Sequence, residues 1–536
     1  MPGWVIRARP PRGEPTRPPI VTDPEVLASR LEDAAHVPGG RAAGLVIPAN
    51  EADVAAVVRS SAAVLPIGAQ SSLTGGATPR GELLLSLARL RHIGEGPDHS
   101  VLVGAGVILE DLDRALAAQG RAYPPMPTFT GAFVGGVIST NAAGPATFKH
   151  GSTRDWVEAL TLVLASGDVL DVQRGSTIAH PDGYFEIVLR ERTARVPVPR
   201  YRLPAVAKCS AGYFAGPGMD LIDLFIGAEG TLGVVTGARL RVSSSRPASL
   251  MAFVPFGDRG TAVSFVRHLR DAAAEMRRTG DSRGMDVSAI EHMDARSLSL
   301  LREDGVDRAT GVAWPDDTAV ALLITLDLPS GTRADGVYAE IGRALEPGGA
   351  DTPVVRFCRA LAREGVLADV AIAVPGDARR ASQLRLLREG VPVGVNRRVG
   401  RAQVEVDARI EKTAADMIVN VESFEALLAV YDRAFERRGL DVAVWGHISD
   451  GNVHPNVIPR SWADVERGRE AILEIGREVV RLGGSPLAEH GVGRNPVKQQ
   501  LLRELYGTQG IEDMRRVKRA LDPDWKLAPG VLFPVG

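Results

Sequence analysis

Cysteine is scarce in this chain. Its 536 residues include only Cys209 and Cys358, and neither sits in a CxxC pair. An iron–sulfur cluster bound by this chain alone is therefore excluded, and the two scattered thiols fit a reducing compartment. Long apolar runs are also missing: stretches such as AVALLITL fall well short of the roughly 20 residues needed to span a bilayer. Nor is there an excess of one charge. Lys+Arg 63 against Asp+Glu 65 gives a formal net charge of -2, which provides no global attraction to nucleic acid or an anionic membrane. No internal repeat or low-complexity tract is evident. The first 22 residues are rich in Arg and Pro but lack the apolar core of a signal peptide, so a flexible arm is expected there rather than a targeting sequence.

What the chain does have is glycine in three apolar settings. Pro66 to Pro79 reads PIGAQSSLTGGATP, Thr128 to Gly144 reads TFTGAFVGGVISTNAAG, and Ile226 to Ala238 reads IGAEGTLGVVTGA. Small residues let backbone N–H groups approach a pyrophosphate closely. One such loop is more often a plain turn. Three of them with few charges point to a large polyphosphate cofactor wrapped by backbone donors. None is a GxGxxG or a GxxxxGK[ST], so neither a nicotinamide fingerprint nor a P-loop is supported.

Near the C-terminus, Gly446 to His454 reads GHISDGNVH and Ala488 to Gly493 reads AEHGVG. The apolar run DVAVW leads into Asp450-Gly451, a pair suited to a two-residue hairpin loop. That register would set His447 directly opposite His454, close enough for two imidazoles to hold one divalent ion. Glu489 is a candidate third ligand, and two His with one carboxylate leave coordination positions open for catalysis. His490 would then stand near the ion as a base. The alternative is that His447 and His454 are hydrogen-bonded residues of a turn. Asp450 and Asn452 are turn formers or orient the ligands.

Together these segments resemble the FAD-dependent 2-hydroxy-acid dehydrogenases of the vanillyl-alcohol oxidase and p-cresol methylhydroxylase (PCMH) superfamily. The marks are PIGAQSSLTGG, GGVISTNAAG, KHGSTRD at Lys149 to Asp155, GAEGTLGVVT, GHISDGNVH and AEHGVG. The resemblance runs from about Arg41 to the end, interrupted by a basic, Pro-containing insertion around His180 to Leu203. It implies an α+β fold: a PCMH-type FAD-binding domain followed by an α/β cap domain with an antiparallel sheet. The expected divisions are an arm over 1–22, the FAD-binding domain over 23–245, a substrate and cap domain with the metal hairpin over 246–485, and a C-terminal segment over 486–536 returning to the flavin.

Carried over by position, the resemblance implies FAD contacts at Pro66, Ile67, Gly68, Ala69, Gln70, Ser71, Ser72, Gly75 and Gly76. Further contacts are implied at Thr130, Gly136, Thr140, Asn141 and Gly144, and at Glu229, Gly230, Gly233, Val234 and Asn452. His447, His454 and Glu489 would hold a divalent Zn, Mn or Fe ion, and His490 would be the catalytic base. Non-covalent FAD is expected, because PIGAQSS holds no His for a tether; the alternative is a tether at His150, which sits within KHGSTRD. Two departures stand out: Gln70 occupies a place where relatives carry Gly or Thr, and DPDWKLAPG has Ala528 where the family has Asn.

The implied reaction is oxidation of a D-configured 2-hydroxy acid of lactate, glycolate or 2-hydroxyglutarate type. Arg388, Arg397 and Lys412 are candidates to pair with a distal carboxylate, against the alternative of solvated surface charges. The electron acceptor is open among a quinone, an electron-transfer flavoprotein, a cytochrome and an iron–sulfur subunit. A homodimer and a cytoplasmic enzyme, or one peripheral to the inner membrane through its acceptor, complete the expectation. Two alternatives stand beside it. One is a non-redox transferase like the alkyl-transfer branch, disfavoured by Glu489-His490 because that branch has a His cluster there; the other is a flavin subunit active only in an electron-transfer complex.

At the level of local structure, Asn50 before EADVAAVVRSSAA suggests a capped helix with Asp53 closing a capping box. LTLVLASGDVLDV reads as a hairpin turning at Ser166-Gly167-Asp168, and SSSRPASL beyond Val242 marks a domain boundary.

Overall fold

The computed structural model describes residues 2–243 and 247–534. The chain forms two compact units, one of Met1–Gly144, Gly151–Ser244 and Ser485–Gly536, the other of Pro145–His150 and Ser245–Gly484. The boundary expected at residues 245 and 246 lies outside the described residues.

Three sheets build the first unit. Strands Gly44–Val46, Leu83–Ser86 and Val64–Ile67 run parallel in that spatial order. A five-stranded antiparallel sheet is ordered Ile93–Glu95, Ser100–Gly104, Val234–Arg241, Val157–Val163, Val169–Gln173. Its last two strands are the hairpin turning through Ser166-Gly167-Asp168, with Gly167 at φ 75. Helix Glu51–Ser60 starts where Asn50 accepts the Asp53 N–H. Asp53 does not close a capping box on Asn50: its carboxylate accepts the N–H groups of Ala49 and Thr16 instead.

The expected N-terminal arm requires correction. Val5–Arg7 is a strand lying parallel to Tyr184–Val188, which in turn pairs antiparallel with Thr193–Pro197. Arg9 locks this start down with hydrogen bonds to Glu51 and Asp171. The basic insertion thus supplies the partner strands that the N-terminal residues need to satisfy their backbone groups. At the other end of the chain, Leu527 bridges Val64 in parallel, extending the edge of the sheet that carries the first glycine loop.

The second unit is built on an eight-stranded sheet. Its path runs Ala371–Ala373, Ala248–Phe256, Val320–Leu328, Asp286–Asp294, Val442–His447, Asn452–Val457, Thr413–Ala414, with Met417–Ile418 also pairing the sixth strand. All of its pairings are antiparallel. A core of Phe253, Leu323, Leu384, Val391 and Trp445 lies between this sheet and the long helix Ala378–Glu405. Lys149, on the short segment Pro145–His150, is tied to this unit by contacts of its Nζ with Asp286 at 2.5 Å and Asp327 at 2.6 Å. Among the described residues no helix is long and apolar enough to cross a membrane.

Candidate active site

In the first unit, the three glycine-rich stretches line one cavity. Its lining includes Pro66, Ile67, Gly68, Ala69, Gln70, Ser71, Ser72, Gly76, Gly136, Thr140, Glu229, Gly230, Gly233 and Val234. The charge pattern is informative: the only ionisable side chains among the described lining residues are Glu229, Glu489 and His490. An anionic cofactor here would be met by backbone donors and hydroxyls, not by Lys or Arg. Two further observations fit a large guest. A Cβ built on Gly136 would meet no protein atom within 4 Å, and the buried Oε1 of Gln70 has no hydrogen-bond partner.

Other expected cofactor residues stand outside this lining. Gly144 keeps backbones close, since a Cβ there would lie 2.0 Å from the Met126 carbonyl oxygen. Asn141, at φ 47, accepts the Arg154 N–H through its side chain. Thr130 is exposed and its carbonyl accepts from Glu110 N–H, and Gly75 takes the turn at φ 70. Conversely, Phe129, Phe133 and Val531 line the cavity without having been singled out from the sequence. Phe129 and Phe133 lie inside the second glycine stretch, and the apolar residues flanking its glycines were the available signal.

Both departures from the family pattern fall at left-handed backbone positions. Gln70 has φ 54 and Ala528 has φ 43, a region suited to the Gly and Asn of relatives. Gln70 compensates by donating its amide hydrogens to the carbonyls of Arg30, Glu32 and Ala77.

Glu229 fastens the AEHGVG segment to the third glycine stretch. Its carboxylate accepts the N–H groups of Val492 and Gly493, each at 2.8 Å. Burial pushes its pKa up to about 7 despite those two donors and the nearby Lys498 ammonium. Within the same segment, Glu489 Oε2 accepts from Lys208 Nζ at 2.6 Å, and Oε1 lies 3.4 Å from His490 Nε2.

In the second unit, the GHISDGNVH hairpin differs in register from the expected one. His447 pairs with Asn452 and Trp445 with His454, so the two histidines are not directly opposed. Four residues make the turn, not two: Ile448–Asp450 form a 3-10 turn and Gly451 follows at φ 85. No larger residue fits there, because a Cβ on Gly451 would sit 1.9 Å from the Val419 carbonyl oxygen. A slip of two residues preserves the face on which each side chain lies. Accordingly the two imidazole centroids are 5.9 Å apart, with planes at 89°.

Each imidazole is backed by a buried acid. His447 Nδ1 is 2.8 Å from Glu291 Oε1, while Arg388 Nε donates to Glu291 Oε2 at 2.6 Å. Burial would raise the Glu291 pKa, but the Arg388 guanidinium and His447 hold it well below the usual carboxylate range. An acid on Nδ1 favours the tautomer that turns the Nε2 lone pair outward, as metal-binding His requires. His454 Nδ1 is 3.4 Å from Asp416 Oδ1, which also accepts from Asn452 Nδ2 at 3.1 Å. Asn452 is thus held by Asp416 and the Met417 carbonyl, and its buried Oδ1 has no hydrogen-bond partner. Asn456, two residues beyond His454 and on the same strand face, likewise carries a buried Oδ1 without a hydrogen-bond partner.

Of the residues expected to meet a distal carboxylate, Arg388 is buried against Glu291, a partner the sequence did not suggest. Arg397 is half-exposed and paired with Asp304, and Lys412 lies just before strand Thr413–Ala414.

The sequence matches two family descriptions: the FAD binding domain over residues 42–173, and FAD linked oxidases, C-terminal domain, over residues 258–532. Its relatives include D-2-hydroxyglutarate dehydrogenase of Xanthomonas citri pv. viticola, 28% identical over 91% of this chain and 89% of that protein. The D-lactate dehydrogenase of Archaeoglobus fulgidus is 27% identical over 91% of this chain and 90% of its own length. Glycolate oxidase subunit GlcD of Bacillus subtilis is 26% identical over 88% and 83%. Among solved structures, alkyldihydroxyacetonephosphate synthase aligns with a TM-score of 0.54 at 14% identity, covering 90% of this chain and 76% of that one, a likeness of fold alone. The glycine-walled cavity and the matches over both units agree: the chain belongs to the FAD-linked oxidases with a PCMH-type FAD-binding domain, and is a flavoprotein oxidoreductase.

Proposed function

We propose that this oxidoreductase acts on the CH–OH group of a 2-hydroxy acid, D-configured and of lactate, glycolate or 2-hydroxyglutarate type, and yields the 2-oxo acid. The observation that carries the reading lies within the first unit: Glu489 and His490 line the same cavity as the glycine loops. A carboxylate and an imidazole therefore border the cavity walled by the glycine loops. The names of the three relatives support the substrate class.

When bound, FAD supplies the hydride acceptor, and a divalent ion of Zn, Mn or Fe type supplies a Lewis acid for the substrate hydroxyl and carboxylate. His447 and His454 with Glu489 are the proposed ligands of that ion; imidazole nitrogen and carboxylate oxygen are the donors such ions take. Glu291 orients the His447 imidazole, and Asp416 lies 3.4 Å from His454 Nδ1. A ring nitrogen of His490 takes the hydroxyl proton while the α-hydrogen leaves with its electron pair. An imidazole suits this step because it is unprotonated near neutral pH yet basic enough to accept.

The test is the visible spectrum of the purified protein under anaerobic conditions, before and after addition of D- and L-2-hydroxy acids. Bleaching of the oxidised-flavin band by one enantiomer is the expected result and identifies the substrate class. A flavin band unmoved by every acid would refute the dehydrogenase reading and favour a transferase.

A further inference from the structure

Lys208 belongs to none of the segments that point to the site, yet it meets one of them. It lies in the irregular stretch before helix Leu221–Phe225, 281 residues from Glu489, and its Nζ donates to Glu489 Oε2 at 2.6 Å. The two side chains are 1% and 8% exposed. Backbone and side-chain contacts fix this approach. Ser210 N–H donates to the Leu487 carbonyl at 3.2 Å, and Cys209 Sγ is 3.6 Å from Ser485 Oγ. Ser485 Oγ also closes on both the N–H and the carbonyl of Leu487. Residues 208–210 and 485–489 are thereby laced side by side, which sets the direction from which the ammonium reaches the carboxylate.

Taking an ammonium out of water is costly, and one carboxylate seldom makes a buried Lys favourable over an apolar side chain. Here the division of the carboxylate offers a reason. Oε2 is occupied by Lys208, and Oε1 is the oxygen on the His490 side. We infer that Lys208 is a positioning residue: by holding Oε2 it fixes the Glu489 carboxylate so that Oε1 alone is offered to a divalent ion. This rests on the reading of Glu489 as a metal ligand. Carboxylate ligands are commonly oriented by such outer hydrogen bonds, whose loss weakens metal affinity about 10–100-fold.

Two measurements test the inference. In metal-stripped, FAD-containing protein, melting temperatures are compared for Lys208→Met, Glu489→Gln and the double variant. Each single change should lower the temperature, and the double should lower it by less than the sum, because each single change strands a buried partner. Additive losses would overturn the pair. Zn(II) or Mn(II) is then titrated into the parent, Lys208→Met and Lys208→Arg. The expected outcome is at least tenfold weaker binding in Lys208→Met, with partial recovery in Lys208→Arg. Unchanged or tighter binding in Lys208→Met would show that Lys208 is a bystander or a competitor for the carboxylate, and would overturn the inference while leaving the proposed ligand set intact. A parent that takes up neither ion would refute the metal reading itself and the positioning role with it.

Discussion

Replacing Glu229 by Gln should flatten the pH dependence of the flavin-binding unit's stability. The Glu229 residue borders the cavity, but its carboxylate turns inward onto the N–H groups of Val492 and Gly493. Burial is the largest influence on its pKa, which rises from 4.5 to about 7. A folded-state value above the unfolded one means that the native protein holds the proton more tightly. The associated stability is fully present below pH 4.5 and is lost as pH rises through 7. A rise of that size corresponds to about 3 kcal/mol. Gln removes the titration and matches the protonated carboxyl, which likewise offers one strong acceptor oxygen to the two N–H groups. The two proteins should therefore be of similar stability at pH 5, and the parent should fall below the variant by pH 8. Release of flavin fluorescence on denaturant unfolding, followed from pH 5 to 8.5 in both proteins, reads the difference directly. Parallel stability curves would refute the reasoning.

Three other substitutions separate fold from site. Glu291→Gln takes the carboxylate from a buried Arg388 and from His447, so the second unit should lose about 3 kcal/mol; circular-dichroism melts should show part of this loss recovered when Arg388→Met is added. Gly136→Leu places a side chain where a Cβ meets no protein atom. The protein should keep its far-ultraviolet spectrum while purifying with its flavin absorbance largely lost, and full flavin content would rule out this part of the cavity as the cofactor's. Gly451→Ala puts a methyl 1.9 Å from the Val419 carbonyl at φ 85. Since the residue also leaves its favoured backbone region, a destabilisation of about 3 kcal/mol or more is expected, measurable as a lowered denaturant midpoint.

Features encoded in composition were legible in the sequence; exact turn geometry and contacts with distant partners were not. The glycine stretches announced a cofactor because their composition alone limits what they can hold. The hairpin turn was misread because Asp-Gly is the signature of a two-residue loop, whereas Ile448–Asp450 wind into a 3-10 turn. That error spared the site, since an even shift leaves His447 and His454 on their faces. The N-terminal strand was invisible for another reason. Val5–Arg7 has little pattern of its own, and its partner begins at Tyr184 inside an insertion. Likewise, nothing local assigns Pro145–His150 to the second unit; Lys149 does so through Asp286 and Asp327.

The same division runs through the site's chemistry. Motif residues determine where the functional groups stand, but their charge and tautomer are set from outside the motifs. His447 depends on Glu291, 156 residues earlier, and Glu291 depends on Arg388, 97 residues later. Glu489 depends on Lys208, and the strand that carries the first glycine loop is bordered by Leu527. Each of these charged partners is buried, where an ion without its counter-charge is costly, so neither member of a pair can be lost alone without a large penalty. A chain carrying the GHISDGNVH pattern without an acid on the adjoining strand would lack the contact that directs the His447 Nε2 lone pair outward. On the proposed ligand set, its motif would be intact and its metal affinity weakened, a difference that metal titration of a Glu291→Ala variant would read.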